Sequence, residues 1–142
     1  MKTLISLFVL AAGSAAALSA QSVRPLTATI PFAFYVGDTQ MPAGEYRVAL
    51  PAGVLAIKVQ SPDGSNSAMR LVNAASATRT PANHALVFRK YGEDRYFLGG
   101  IWHLGEPEGL EVPKSKKERE AVTSTLVSAS RPTTVVILAR VR

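Results

Sequence analysis

The chain has 142 residues, 47% of them hydrophobic and 18% charged, with 16 basic side chains against 10 acidic ones, a net charge of +6 and no cysteine. That is one domain's length, and the balance of apolar and charged residues excludes a disordered chain, a coiled coil and a collagen-like fibre. A sequence without cysteine has no disulfide framework, thiolate nucleophile, cysteine-ligated metal centre or acylated-cysteine anchor.

Met1-Lys2-Thr3 places one positive charge ahead of Leu4 to Ala12, which is apolar apart from Ser6, and Gly13 to Ala20 is a run of small residues. These are the three regions of a secretory signal peptide. Cleavage after Ala20 leaves Gln21 as the new N-terminus, and Ala15-Ala16-Ala17 offers a second small-x-small site. An uncleaved membrane anchor is the alternative, but the apolar core is short of the roughly 20 residues that a span needs. No twin arginine precedes it, which implies the general secretion route and a periplasmic or extracellular location. The sequence therefore divides into a signal peptide, residues 1–20, and a single β-rich domain, residues 21–142, that is not an integral membrane protein once cleaved. The mature chain keeps 15 basic and 10 acidic side chains. Without disulfides, its stability must come from packing and strand pairing.

From Thr27 to Val36 the chain alternates, with Ile30, Phe32, Phe34 and Val36 on one face, which predicts one half-buried strand. Pro31 cannot donate to a ladder and places that strand at an edge or a bulge. Gly37-Asp38 and Met41-Pro42-Ala43-Gly44 are turns. Glu45 to Leu50 alternates again, and Pro51-Ala52-Gly53 turns it into a partner carrying Leu55, Ile57 and Val59. Ser61-Pro62-Asp63-Gly64 leads to a weaker strand, Ala68 to Asn73, expected to point Met69 and Leu71 inward. Residues 73–83 read as a loop. Ala85 to Lys90 and Tyr96 to Trp102 form a hairpin through Tyr91-Gly92-Glu93-Asp94, with Gly99-Gly100 marking a bulge. His103 to Val112 reads as a second loop.

Ser115 and Glu118 have capping-box spacing, and Val122, Leu126 and Ala129 recur at helical intervals, predicting a helix over roughly residues 115–128. Thr133 to Val141 is a β-branched run expected to be a well-buried last strand. About seven strands and one late helix imply a mainly β fold, an antiparallel meander barrel or sandwich.

The chemistry-bearing residues are sparse. His84 and His103 are the only histidines. His103 with Glu106, Glu108 and Glu111 offers ligand types suited to a cation, but in no closed metal-binding spacing. No serine lies in a nucleophile elbow or an S-x-x-K motif, and Glu93-Asp94 sits at a hairpin tip. Ser115 lies among lysines, where a capping role suffices. Lys114, Lys116, Lys117 and Arg119 could face an anionic surface, yet Glu118 and Glu120 interleave with them, as on a solvated helix. No aromatic-plus-basic motif points to nucleic acid. Adjacent Tyr96 and Phe97 must point to opposite faces, so with Trp102 they are the candidate ligand-binding residues.

Pro31-Phe32-Ala33-Phe34-Tyr35-Val36-Gly37 with Pro42-Ala43-Gly44-Glu45-Tyr46, Leu86-Val87-Phe88 through Tyr91-Gly92 to Tyr96-Phe97-Leu98 and Ile101-Trp102, and Pro113-Lys114-Ser115-Lys116 with Glu118-Arg119-Glu120 together resemble a group of small exported bacterial proteins without an assigned activity. The resemblance covers most of the mature chain and implies no catalytic or binding residue. Met41-Pro42-Ala43-Gly44-Glu45-Tyr46 is also similar to a hairpin of many exported immunoglobulin-like modules. The expectation is a cofactor-free, non-enzymatic binding or interaction domain of the cell envelope, taking a small apolar ligand or an envelope protein. The alternatives are a structural or stress-related envelope protein without a pocket, and a hydrolase-type enzyme using His84 or His103.

Overall fold

The computed structural model describes residues 24–128 and 131–142. The expected signal peptide, residues 1–20, and its expected cleavage sites lie outside the described residues. The fold is mainly β, two sheets packed face to face in a sandwich-like arrangement with one late helix on an outer surface.

The expected strand from Thr27 to Val36 is two strands, β1 (Leu26–Ile30) and β2 (Phe34–Val36), in different sheets. Pro31 lies between them, where the missing donor costs no ladder bond. β3 (Thr39–Met41) pairs with β2, and the chain crosses back at Pro42-Ala43 into β4 (Gly44–Ala49), antiparallel to β1. The Tyr46 hydroxyl donates 2.6 Å to the Pro42 carbonyl and braces that corner. β5 (Ala56–Gln60) and β6 (Ser67–Leu71) complete the first sheet by successive antiparallel pairing.

β6 corrects an expectation. Ala68 and Val72 are buried, whereas Met69 and Leu71 are 60% and 68% exposed. β6 is an edge strand, and the small Ala68 meets the core opposite Val59. Leu55 is likewise exposed, and Ala56 is buried in its place.

After Val72 the chain enters the second sheet. Residues 73–83 and 103–112, read as loops, each contain a strand: β7 (Asn73–Ser76) and β10 (Glu108–Glu111) pair antiparallel at the sheet's edge. β8 (Ala85–Tyr91) and β9 (Arg95–Trp102) form the expected hairpin, and β9 also takes β10 on its far side and one parallel bridge from β2. Register slips between Val87 and Phe88, where Val87 faces Gly100 and Phe88 faces Leu98, so Gly99 is the bulged residue. One extra residue exchanges the faces. Before the bulge Leu98 faces the core, after it Ile101 does, and Phe97, Gly100 and Trp102 are left on the outer face.

The last run is also corrected. β11 (Thr133–Leu138) pairs with β8 at the second sheet's other edge, half exposed rather than well buried, with Val135 and Ile137 packed on the core and Val136 and Leu138 54% and 64% exposed. β12 (Arg140–Val141) then crosses over to β1.

Between the sheets lies a core of Leu26, Ile30, Phe34, Tyr46, Val48, Ile57, Leu86, Phe88, Leu98 and Ile101. Each such side chain contributes about 1.5–3 kcal/mol by burial. Phe34 meets Tyr46 edge to face at 5.1 Å, and Phe32 stacks on Tyr96 at 3.8 Å.

Helix α1 (Lys116–Val127) begins where the sequence places it, with Ser115 as N-cap accepting the Glu118 N–H. The Ser115 hydroxyl donates 3.0 Å to the Gly37 carbonyl, and the Asp38 carboxylate accepts the Lys117 N–H at 3.0 Å. The β2–β3 turn therefore fixes the helix's phase. As a result α1 buries Glu118, Ala121 and Thr125, while Val122 is half-buried and Leu126 is 69% exposed. Ala129, the third member of the expected apolar stripe, is outside the described residues. No helix among the described residues is long and apolar enough to cross a membrane.

Candidate functional site

The three aromatic candidates are placed by the pleat and the bulge, and they do not form one site. Tyr96 points to the core side, stacked on Phe32, with the Lys90 ammonium 5.4 Å from its ring centre. Phe97 points outward but is only 2% exposed, because α1 covers it. Its ring stacks on Tyr35 at 4.8 Å and meets Tyr91 edge to face at 5.8 Å. Trp102 shares that outer face beyond the reach of the helix, half-buried like Tyr96, and of the three it is the one that lines a groove on this face.

Glycine seats the indole. A Cβ on Gly109 would overlap the six-membered ring of Trp102 and come within 2.8 Å of the Ile101 carbonyl oxygen. A Cβ on Gly100 would stand 3.2 Å from the indole nitrogen. Across the sheet, register aligns Leu138, Ala85 and Trp102 in one row and Val136, Val87 and Gly100 in the next. The loop after β7 rises beside them. Ala77, Pro81, Ala82 and Asn83 form one wall, and Ala85, Trp102, Val136 and Leu138 form the other side of an open groove of about 310 Å³. Two backbone bonds hold the wall, Ala77 N–H to Pro107 O at 2.7 Å and Gly105 N–H to Pro81 O at 3.0 Å.

The other half of this outer face is closed by α1 through an ion pair. Arg89, on β8, donates from Nη2 to Glu118 Oε2 at 3.0 Å and to the Val112 carbonyl at 2.8 Å, while Nε binds Glu118 Oε1. The Tyr91 hydroxyl donates 2.9 Å to the same Oε1. Burial of Tyr91 and its bond to the Glu118 carboxylate push the phenol up to about 12. Burial opposes the charge on Arg89, but Glu118 outweighs it and raises the guanidinium's affinity for its proton. Glu118 thus does not complete a capping box; its side chain is the helix's anchor.

The histidines stand together at the opposite end of β8 and β9, their rings 5.7 Å apart and nearly perpendicular. His84 Nδ1 accepts the Leu104 N–H at 3.1 Å, and His103 Nε2 lies 3.3 Å from the Arg24 carbonyl. Both contacts are to backbone; neither ring is hydrogen-bonded to a serine or a carboxylate among the described residues. His103 is buried, whereas Glu106, Glu108 and Glu111 are exposed. The structure does not gather these four, and among the described residues no three His, Asp or Glu are placed to hold a cation.

The sequence reading missed Val136 and Leu138, which complete the groove. Their signal was present in Thr133 to Leu138, where both faces are apolar, but that pattern reads as a buried strand. Arg89 and Glu118, 29 positions apart, carry no local signal for each other. No family model, curated protein or solved structure matches the chain.

Proposed function

We propose that this chain is an exported, non-enzymatic binding domain of the bacterial cell envelope that holds a small apolar molecule in the groove beside Trp102. The observation that carries the reading is the division of one sheet face: α1 covers Tyr91 and Phe97, while Leu138, Val136 and Trp102 stay open to solvent around a cleft. A cleft of about 310 Å³ is at the lower end of the range for small-molecule sites. Its eight lining residues fall short of the roughly 20–30 per side of a stable protein interface. Export rests on the charge, apolar run and small residues of positions 1–20.

Native mass spectrometry of the protein purified from a bacterial periplasm tests the proposal. An added mass that is lost on denaturation and absent from a Leu138→Glu variant is expected. A bare chain, or an adduct that survives Leu138→Glu, contradicts it.

One observation favours a second reading, a structural envelope protein that assembles with its own copies. Met69 and Leu71 are exposed on the edge strand β6, and such an edge is a template for strand pairing. A concentration-dependent dimer in sedimentation, abolished by Met69→Lys, would support that reading over the first.

A further inference from the structure

On the opposite surface, the outer face of the first sheet carries a row of polar residues that the groove does not involve. Register places Thr27 of β1 directly between Arg140 of β12 and Arg47 of β4, with Gln60 of β5 next to Arg47. Residues paired in this way project from the same face. Thr27 is 4% exposed, and its hydroxyl oxygen is buried without a hydrogen-bond partner. Flanked by two long side chains, Thr27 lines two adjoining clefts of about 370 and 400 Å³, its hydroxyl just beneath their surface. Arg47 and Gln60 line the first, Arg140 lines the second, and Arg142 and Glu45 border both.

A buried hydroxyl without a partner is uncommon in a folded protein, and each instance asks for an explanation such as a bound water or ion. Here it stands under cations that have no carboxylate partner. Among the described residues neither Arg47, Arg140 nor Arg142 forms an ion pair. Of the two acidic side chains lining the clefts, Asp63 is committed to Ser61 and Ser65, which leaves Glu45 as the side-chain counter-charge.

We infer that this row is a binding site for a phosphate group, with Arg47 and Arg140 closing on it from either side and the Thr27 hydroxyl donating from below. The flanking strands put the two arginines roughly 10 Å apart at the backbone, a span their side chains bridge inward. Guanidinium is the side chain best matched to such oxyanions. Donors approaching from two sides and from beneath suit a tetrahedral anion, since a planar carboxylate takes its bonds near one plane. The phosphate comes either from a free phosphate or phosphomonoester, or from the headgroup of an anionic lipid.

Two probes separate these sources: inorganic phosphate by calorimetry at physiological ionic strength, and flotation with vesicles of phosphatidylglycerol against phosphatidylcholine. Saturable binding to one or both is expected, weakened about tenfold or more by Arg47→Gln or Arg140→Gln. Thr27→Val keeps the side chain's shape, and it is expected to preserve the fold while weakening binding several-fold. A Lys114→Gln, Lys116→Gln, Lys117→Gln variant changes basic charge elsewhere and is expected to bind as the parent does. Binding to inorganic phosphate assigns the free anion, and binding to the anionic vesicles alone assigns the headgroup. Failure to bind either probe, binding indifferent to Arg47→Gln, or equal loss in the lysine variant overturns the inference.

Discussion

Arg89 and Glu118 join the helix to the sandwich through two parallel contacts, and the Tyr91 hydroxyl adds a third bond to the same carboxylate. Glu118 is 2% exposed. A carboxylate so buried is tolerable only because a guanidinium and a phenol meet it. The relationship decides which half of the outer face is covered, and so where the open groove begins.

Removing the acid strands the cation. Glu118→Ala is expected to destabilise the fold by about 2–4 kcal/mol, discounted from a fully buried pair because the Arg89 side chain keeps some solvent contact. Glu118→Gln keeps an acceptor and is expected to cost less. Urea unfolding followed by circular dichroism checks both. A Glu118→Ala variant as stable as the parent would mean that the pair does not hold the helix.

Alkaline pH is expected to loosen the same contact. Tyr91 binds its proton more tightly in the fold, at about 12 against the ordinary 10. Its contribution is therefore complete below about pH 10 and lost as pH rises through about 12. Thermal unfolding across that window is expected to show a steeper decline for the parent than for Tyr91→Phe. Some decline remains in the variant, because burial also raises the phenol of Tyr46. Identical slopes would contradict the assignment.

Gly109→Ala tests how Trp102 is seated. The added methyl must displace the indole or β10, since it meets both the ring and the Ile101 carbonyl. A loss of about 1–3 kcal/mol is expected, together with a shifted Trp102 emission maximum. Trp102 is the only tryptophan, so the spectrum has one source. Unchanged emission would place the ring elsewhere.

At the β5–β6 turn, the Asp63 carboxylate accepts from the Ser61 and Ser65 hydroxyls at 2.6 and 2.8 Å and from the Ser65 N–H at 3.1 Å. These bonds hold its carboxyl down to about 2. Because the folded value is depressed, the turn's contribution is present above the unfolded value near 3.8 and lost as pH falls through about 2. Carboxyl carbon shifts in an NMR titration are expected to show that low midpoint, moving toward the ordinary value in a Ser61→Ala, Ser65→Ala variant. A parent midpoint near 4 would remove the staple.

What could be read from the sequence was local. The alternation of β4, the β8–β9 hairpin with its bulge and the Ser115 cap all depend on neighbours within a few positions, and the structure has them. The sheet crossings depend on more. Ile30, Phe34 and Val36 all face the core, so the period continues unbroken while the chain changes sheets at Pro31; periodicity reports the face, not the sheet. β7 and β10 were hidden because Asn, Ala, Ser, Gly and Glu have little strand preference, and pairing at an edge overrides it. At Met69 and Leu71 large apolar size suggested an inward face, yet the strand's alternation turns Ala68 and Val72 to the core and leaves these two outside. Of the candidate site, Trp102 was legible from the aromatic crowding of β9. Its partners Val136 and Leu138 were not, because an apolar run covered on one side reads like one covered on both.

Trp102 also supplies the most direct test of the proposed binding groove. Titration with the neutral apolar probe N-phenyl-1-naphthylamine, read by energy transfer from this single tryptophan, measures occupancy beside the indole without involving the basic surface of the other sheet. The account predicts saturable, one-site quenching of Trp102 that is lost in Leu138→Glu. Quenching that rises linearly without saturation, or saturates equally in Leu138→Glu, would contradict the groove as the site.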